Sequence, residues 1–217
     1  VNHTKRAGMM ALQILDGVLH HRGVVEPPLF FNLILATLIS HVGIVGGILE
    51  EDEVKPNQPA EKYYTGKGEY KSFVGPSSNS VLWPHYIERS LLFVDRNFRS
   101  LKNLNIEDVK AAIKFSDISS KSTAKEQTNF CHYVRSAHIL AYMTQSQYNQ
   151  WLVRLYRSLE EAKLLNRLGF DHLGEFRENY SQHFWENFYS DLTHLIPLLR
   201  ETEEGKMLLA TLYSRMS

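Results

Sequence analysis

Residues 39–53, ISHVGIVGGILEEDE, set an imidazole, a glycine-rich turn and a run of carboxylates close together along the chain. His41 closes an apolar helical stretch on its inward stripe, and His138 falls on the inward face of a later helix, in YVRSAHILAYM. A neutral imidazole offers a lone pair to a metal ion, and a ring titrating near neutral pH passes protons. Set against that chemistry is the ordinary role of an inward helical histidine, a core side chain satisfied by one hydrogen bond. The carboxylates Glu50–Glu53 read as a solvated turn, from which one member is near enough in sequence to fold back toward His41. Other candidates are weaker. His20 and His21 suit a helix end, where polar side chains meet free carbonyls. His132, His172, His183 and His194 belong to no motif. Cys131 and His132 are adjacent, and adjacent helical residues point in different directions, which argues against a nucleophile and its base. TGKGEYKSFVGPSSNS, from Thr65 onward, has glycines and lysines without the spacing of a phosphate-binding loop.

The elements that must hold these groups are helices. Ala7, Met10, Ala11, Ile14, Leu15, Val18 and Leu19 recur at helical steps and give one buried stripe. Gly23 and the Pro27-Pro28 pair break it, and a second helix carries Phe30, Leu33, Ile34, Thr37, Leu38 and His41 down one side. Residues 50–83 lose all periodicity and read as a long irregular excursion, placed to cover a site mouth. Helical spacing returns in Ile87, Leu91, Val94 and Phe98, then behind an N-cap at Asn105, with Glu107 and Asp108 in its first turn. Two longer helices carry Phe130, Val134, Ala137, His138 and Ala141, and Leu152, Leu155, Tyr156, Leu159 and Ala162, the latter with Gly169 as a left-handed cap. Further helices follow, interrupted near Pro197, and no segment alternates as a strand does. The expectation is a single all-α domain over residues 1–217 with about eight helices.

Composition narrows the partners. Twenty-four basic residues balance 24 acidic ones, so no global field draws the chain to nucleic acid or to anionic lipid. The apolar run LFFNLILATLI is interrupted by Asn32 and Thr37 and falls short of the ~20 residues of a membrane span. One cysteine, Cys131, forms no internal disulfide, which fits a cytoplasmic protein. The aromatic segment FRENYSQHFWENFY suits an interface, although such residues more commonly pack a helical core. The chain opens on VNHTKRAG, already polar and soon helical, as a sequence does that begins inside a longer one.

The segment FFNLILATLISHVGIVGGIL resembles the His-Asp segment of bacterial HD-domain metal-dependent phosphohydrolases. The likeness continues in order through NHTKRA, IERSLLFVDRNF, YVRSAHILAYM and the C-terminal FRENYSQHFWENFY and ETEEGKMLLATLYSRM. Enzymes of that family hold metal with a histidine, a His-Asp pair and a distant aspartate around a helical core. The resemblance implies His3 as the first ligand and His41 as the histidine of the pair, with Val42 standing where the aspartate belongs and His138 replacing the distant aspartate. A further family histidine falls at Tyr86, leaving His85 one position away. Two carboxylates are gone, so ordinary HD phosphohydrolysis is expected to be lost. What remains is a protein that binds a small anionic ligand or a protein partner. The other reading is an enzyme rebuilt around one divalent ion (Zn, Fe or Mn) on His3, His41 and His138. His85, Tyr86, Arg89, Lys114 and Arg135 are the expected contacts for an anionic ligand, against the alternative that the arginines are ion-paired.

Overall fold

The computed structural model describes residues 2–53, 62–72, 79–117 and 128–217. The chain begins with an antiparallel pair, α1 (Asn2–Arg22) and α2 (Pro27–Ile39), and continues through α3 (Tyr86–Asn97), α4 (Ile106–Phe115) and α5 (Asn129–Met143). Then come α6 (Tyr148–Glu161), the single turn α7 (Leu165–Leu168), α8 (Leu173–Asn187), the single turns α9 (Tyr189–Leu192) and α10 (Ile196–Leu199), and α11 (Glu203–Met216). Eight of the described helices run ten residues or more, so the domain is all-α in the main, as the spacing predicts.

α5 is the axis of the core. Every side chain from Cys131 to Met143 is buried, because α1, α2, α4, α9 and α11 pack around it. A helix covered on all sides must satisfy its polar members internally, and α5 carries four of them, His132, Arg135, Ser136 and His138. Thr128 caps its N-terminus by accepting from the Cys131 N–H. The expected N-cap at Asn105 is present, its side chain accepting from the Asp108 N–H at 3.3 Å. The aromatic C-terminal segment packs inward, with Phe176, Tyr180 and Phe184 buried.

Four expectations need correction. The excursion at 50–83 is not wholly irregular: β1 (Lys62–Tyr64) pairs antiparallel with β2 (Tyr70–Ser72), and a 3-10 helix spans Asn79–His85. Strands of three residues are too short to display alternation, which is why the sequence hides them. Residues 54–61 and 73–78 of that excursion lie outside the described residues. Second, α2 ends at Ile39, and its buried residues are Asn32, Leu33, Ala36, Thr37 and Ile39, whereas Phe30 and Leu38 are exposed. An almost uniformly apolar helix gives its phase no polar face to read. Third, Leu19 is exposed at the end of the α1 stripe. Fourth, Gly169, at φ +74°, terminates α7 rather than α6, which ends eight residues earlier at Glu161. The apolar window Pro27–Ile44 has a mean hydropathy of 1.6 over 18 residues, with 44% of it buried inside the protein, and its helix packs against α1, α4 and α5.

Candidate metal centre

Three helical segments far apart in sequence bring His3, His41 and His138 together. His3 stands in the first turn of α1 and His138 in the middle of α5, and those two helices pack on each other. His41 follows α2 by two residues, at the entry to a 3-10 turn, Val42–Ile44.

The turn after His41 is clamped onto α3. A Cβ on Gly43 would lie 2.1 Å from the Tyr86 carbonyl oxygen and 2.7 Å from the Ser90 nitrogen, so only glycine allows the approach. The Gly43 N–H donates to Ser90 Oγ at 2.9 Å, and Ser90 Oγ donates to the Ser40 carbonyl at 2.9 Å. Arg89 Nε donates to the Gly43 carbonyl at 2.6 Å. This contact between HVG and YIERS lays the Tyr86 ring against His41, centroids 5.0 Å apart and nearly parallel. Tyr142, one turn beyond His138 on α5, stacks on His3 at 3.8 Å.

Within the cluster the ring centroids lie 5.1 Å apart for His3 and His41, 5.2 Å for His3 and His138, and 4.3 Å for His41 and His138. One ring nitrogen from each residue lies within 4.8 Å of the others. His3 Nε2 and His138 Nδ1 share a hydrogen bond of 3.0 Å. Burial pushes the His41 imidazole down to about 4. Burial, and then the charge His41 would carry, hold His3 and His138 well below the ordinary histidine value. All three rings are therefore neutral at pH 7, each with one N–H and one bare lone pair.

That leaves a deficit. The shared bond uses two of the six ring nitrogens, and the other four (His3 Nδ1, both nitrogens of His41, and His138 Nε2) are buried without a partner. Each such atom costs about 1–3 kcal/mol, so the four together cost roughly as much as a domain's whole net stability of about 5–15 kcal/mol. A divalent cation accepts one lone pair from each ring. In a tetrahedral site with bonds of about 2.0–2.1 Å the ligand nitrogens sit about 3.3–3.4 Å apart. With His3 Nε2 and His138 Nδ1 as ligands that pair opens by a few tenths of an ångström and one nitrogen of His41 gains a partner, while the outer nitrogen of each ring still needs an acceptor.

The remaining expected residues are placed differently. Tyr86 belongs to the cluster, and burial, followed by the charge of Asp117, raises its phenol well above the ordinary value. His85 is half-buried at the N-terminal end of α3, its pKa lowered by burial and then by Lys71. Lys114 is exposed in the last turn of α4. Arg89 does not have a donor left for an anionic ligand. Its five N–H groups go to the Gly43, Tyr64 and Val45 carbonyls and to both oxygens of Asp52, with Nη2 to Oδ2 at 2.8 Å. The carboxylate run therefore does not project wholly into solvent: Asp52 folds inside, onto Arg89 rather than onto the histidines, and both side chains are fully buried. Arg135 is likewise committed, Nε to Asp191 Oδ2 at 2.7 Å and Nη1 to the Phe115 and Asp117 carbonyls. For both arginines the ion-pair alternative is the one the geometry favours.

Sequence reading missed Tyr142 and Asp191, and named Asp52 only within a carboxylate run able to fold back toward His41. Tyr142 carried a signal, since it lies four residues after His138 and so shares its face of α5. His132 and His194 form a second ring pair, centroids 4.5 Å apart, near Arg135 and Asp191. Among the described residues, however, His3, His41 and His138 are the group whose ligating atoms converge. No curated protein and no solved structure matches this chain. A family model matches residues 1–217, the full length of the chain, which therefore belongs to the Npun_R2479-like family.

Proposed function

We propose that this protein is a non-hydrolytic relative of the HD-domain phosphohydrolases whose His3, His41 and His138 bind one divalent metal ion. The observation that carries the reading is the convergence of three neutral imidazoles, with four buried nitrogens unpartnered, at the three positions the resemblance marks as ligands. The donor set fits Zn²⁺ best: three neutral nitrogens suit a borderline ion, while Mn²⁺ prefers carboxylate and water oxygens, and Fe²⁺ falls between. A resident ion would stabilise the fold by joining rings from α1, from α5 and from the turn after α2.

Hydrolysis of phosphoesters is not part of this reading. Val42 offers no ligand and no base, and no carboxylate joins the converging group among the described residues. Three clefts on the described surface are lined by other residues, and the ring nitrogens themselves are shut off from water. The test is elemental analysis of untagged protein purified without chelator, with zinc titration by calorimetry. About one equivalent of zinc, lost in His41→Ala and His138→Ala, is expected. Absence of stoichiometric metal together with no calorimetric uptake would overturn the proposal. A parallel assay of nucleotides and an aryl phosphate with Mn²⁺, Fe²⁺ and Zn²⁺ should give only the rate of His41→Ala; chelator-sensitive turnover above it would restore the enzyme.

A further inference from the structure

We propose that the cleft at the N-terminal end of α6, bounded by α8 and α11, binds a phosphate-bearing small molecule through Arg177 and Arg215. The cleft measures about 570 Å³, and Ser146, Gln147, Tyr148 and Asn149 line it together with the two arginines. No aspartate or glutamate is among its lining residues. In a chain whose charges balance at 24 and 24, that local excess of positive charge is a feature of the cleft rather than of the protein.

The arginines have no carboxylate partner. Arg177 is exposed and makes no hydrogen bond or ion pair. Arg215 has one neutral acceptor, the Met143 carbonyl, at 3.3 Å from Nη1. Arg6 lies close enough to Arg215 to be repelled by it, and its Nε is buried without an acceptor. Two guanidinium groups thus line the cleft and a third stands near Arg215, and among the described residues no carboxylate pairs with any of them. The start of α6 adds to this: the 14-residue helix has no side-chain cap and no acidic residue in its first turn, so its free N–H groups are not claimed by the protein's own side chains.

Two guanidinium forks and free backbone N–H groups together offer more donors than the two oxygens of a carboxylate, whereas a phosphate monoester brings three acceptor oxygens and up to two negative charges. The volume falls in the ~300–1,000 Å³ range of small-molecule sites and exceeds what a bare phosphate fills. Tyr148 and Leu152 give the organic remainder an apolar wall. The site is independent of whether the histidines hold a metal.

Trp151 lies against Tyr148, ring centroids 5.5 Å apart and planes tilted by 32°, and so reports on the cleft. The full chain would be titrated with phenyl phosphate, inorganic phosphate and benzoate at constant ionic strength, by tryptophan fluorescence and calorimetry. Saturable binding should rank in that order, and Arg177→Gln should weaken phenyl phosphate at least about tenfold while melting like the parent. Arg154→Gln, an exposed α6 arginine outside the cleft, should bind as the parent does. No saturable phosphate binding, benzoate binding as well as phenyl phosphate, or equal affinity in the Arg177→Gln and Arg154→Gln variants would each overturn the proposal.

Discussion

Acidifying the metal-free protein below about pH 6.5 should destabilise it through the three histidines at its centre. The unfolded chain titrates near the ordinary histidine value of 6.5, whereas burial holds His41 at about 4. Between those values the unfolded chain takes up a proton that the folded one refuses. The contribution is therefore fully present above about pH 6.5, falls as the pH drops, and levels off below about 4. At about 1.4 kcal/mol per pH unit, His41 alone removes about 2 kcal/mol by pH 5 and about 3 kcal/mol by pH 4. His3 and His138 shift in the same direction, so the slope between about pH 6 and pH 5 should exceed one proton and approach three. Against a net stability of about 5–15 kcal/mol, such a loss brings the fold to its margin. The assay is urea unfolding of chelator-treated protein across this range, with the slope of stability against pH giving the proton count. His194, held at about 4 by burial and the charge of His132, and His85 and His183, both lowered chiefly by burial, act with the same sign, so the protein with all three changed to Gln serves as the background. In that background His41→Gln should lower the slope by about one proton. A slope below one proton, or one unchanged by His41→Gln, would refute the reasoning. Zinc competes with protons for the same lone pairs; at a hundredfold excess over Kd it contributes about 2.7 kcal/mol, enough to offset the His41 loss at about pH 5.

Four other outcomes follow from the packing. Asp52→Asn leaves Arg89 fully buried without its counter-charge and should cost about 3–5 kcal/mol, read as a fall in thermal midpoint of about 10 °C. Gly43→Ala puts a methyl group into the Tyr86 carbonyl and should displace His41, so calorimetry should record much weaker zinc binding than in the parent. Leu38→Asp should change the melt by no more than about 0.5 kcal/mol, since Leu38 is exposed, while Leu33→Asp buries an unpaired charge and should prevent folding. Val42→Asp combined with His138→Asp should raise Mn²⁺ affinity by returning two oxygen ligands, provided a circular dichroism spectrum confirms the fold.

The helices were legible wherever apolar and polar residues alternated with helical period, as in Leu152, Leu155, Tyr156 and Leu159, which are all buried. α2 marks the limit of that signal. Its sequence, PPLFFNLILATLI, is apolar on every face, so composition declares a helix and says little about which side turns inward; the neighbours decide, and they bury Ala36 and expose Leu38. The histidine cluster was partly legible: periodicity puts His138 on the inward face of α5, whereas His41 lies past the end of α2, whose phase was misread, and the grouping of both with His3 was marked by the family resemblance alone. The Arg89–Asp52 pair was beyond reach. Two charges 37 residues apart, one in what reads as a solvated turn, carry no local mark of becoming a fully buried ion pair.

That pair also holds the surroundings of His41 in place. In HVG, the histidine faces the cluster while the glycine is pressed against α3 and its carbonyl is held by Arg89 at 2.6 Å. Arg89 in turn gathers Val45, Tyr64 and Asp52, so the first strand of the hairpin, the carboxylate run and the start of α3 depend on the same few atoms that orient His41. Breaking the glycine contact or the ion pair disturbs the imidazole, whereas the residue between them is only half-buried and bears on neither. Valine at position 42 is therefore compatible with the fold around His41. If the proposed ion is bound, three neutral rings would hold it, and among the described residues no carboxylate joins them as a ligand to offset its charge. On the reading proposed above, the missing ligand carboxylate, and not a lost fold, is what would set this site apart from that of a phosphohydrolase.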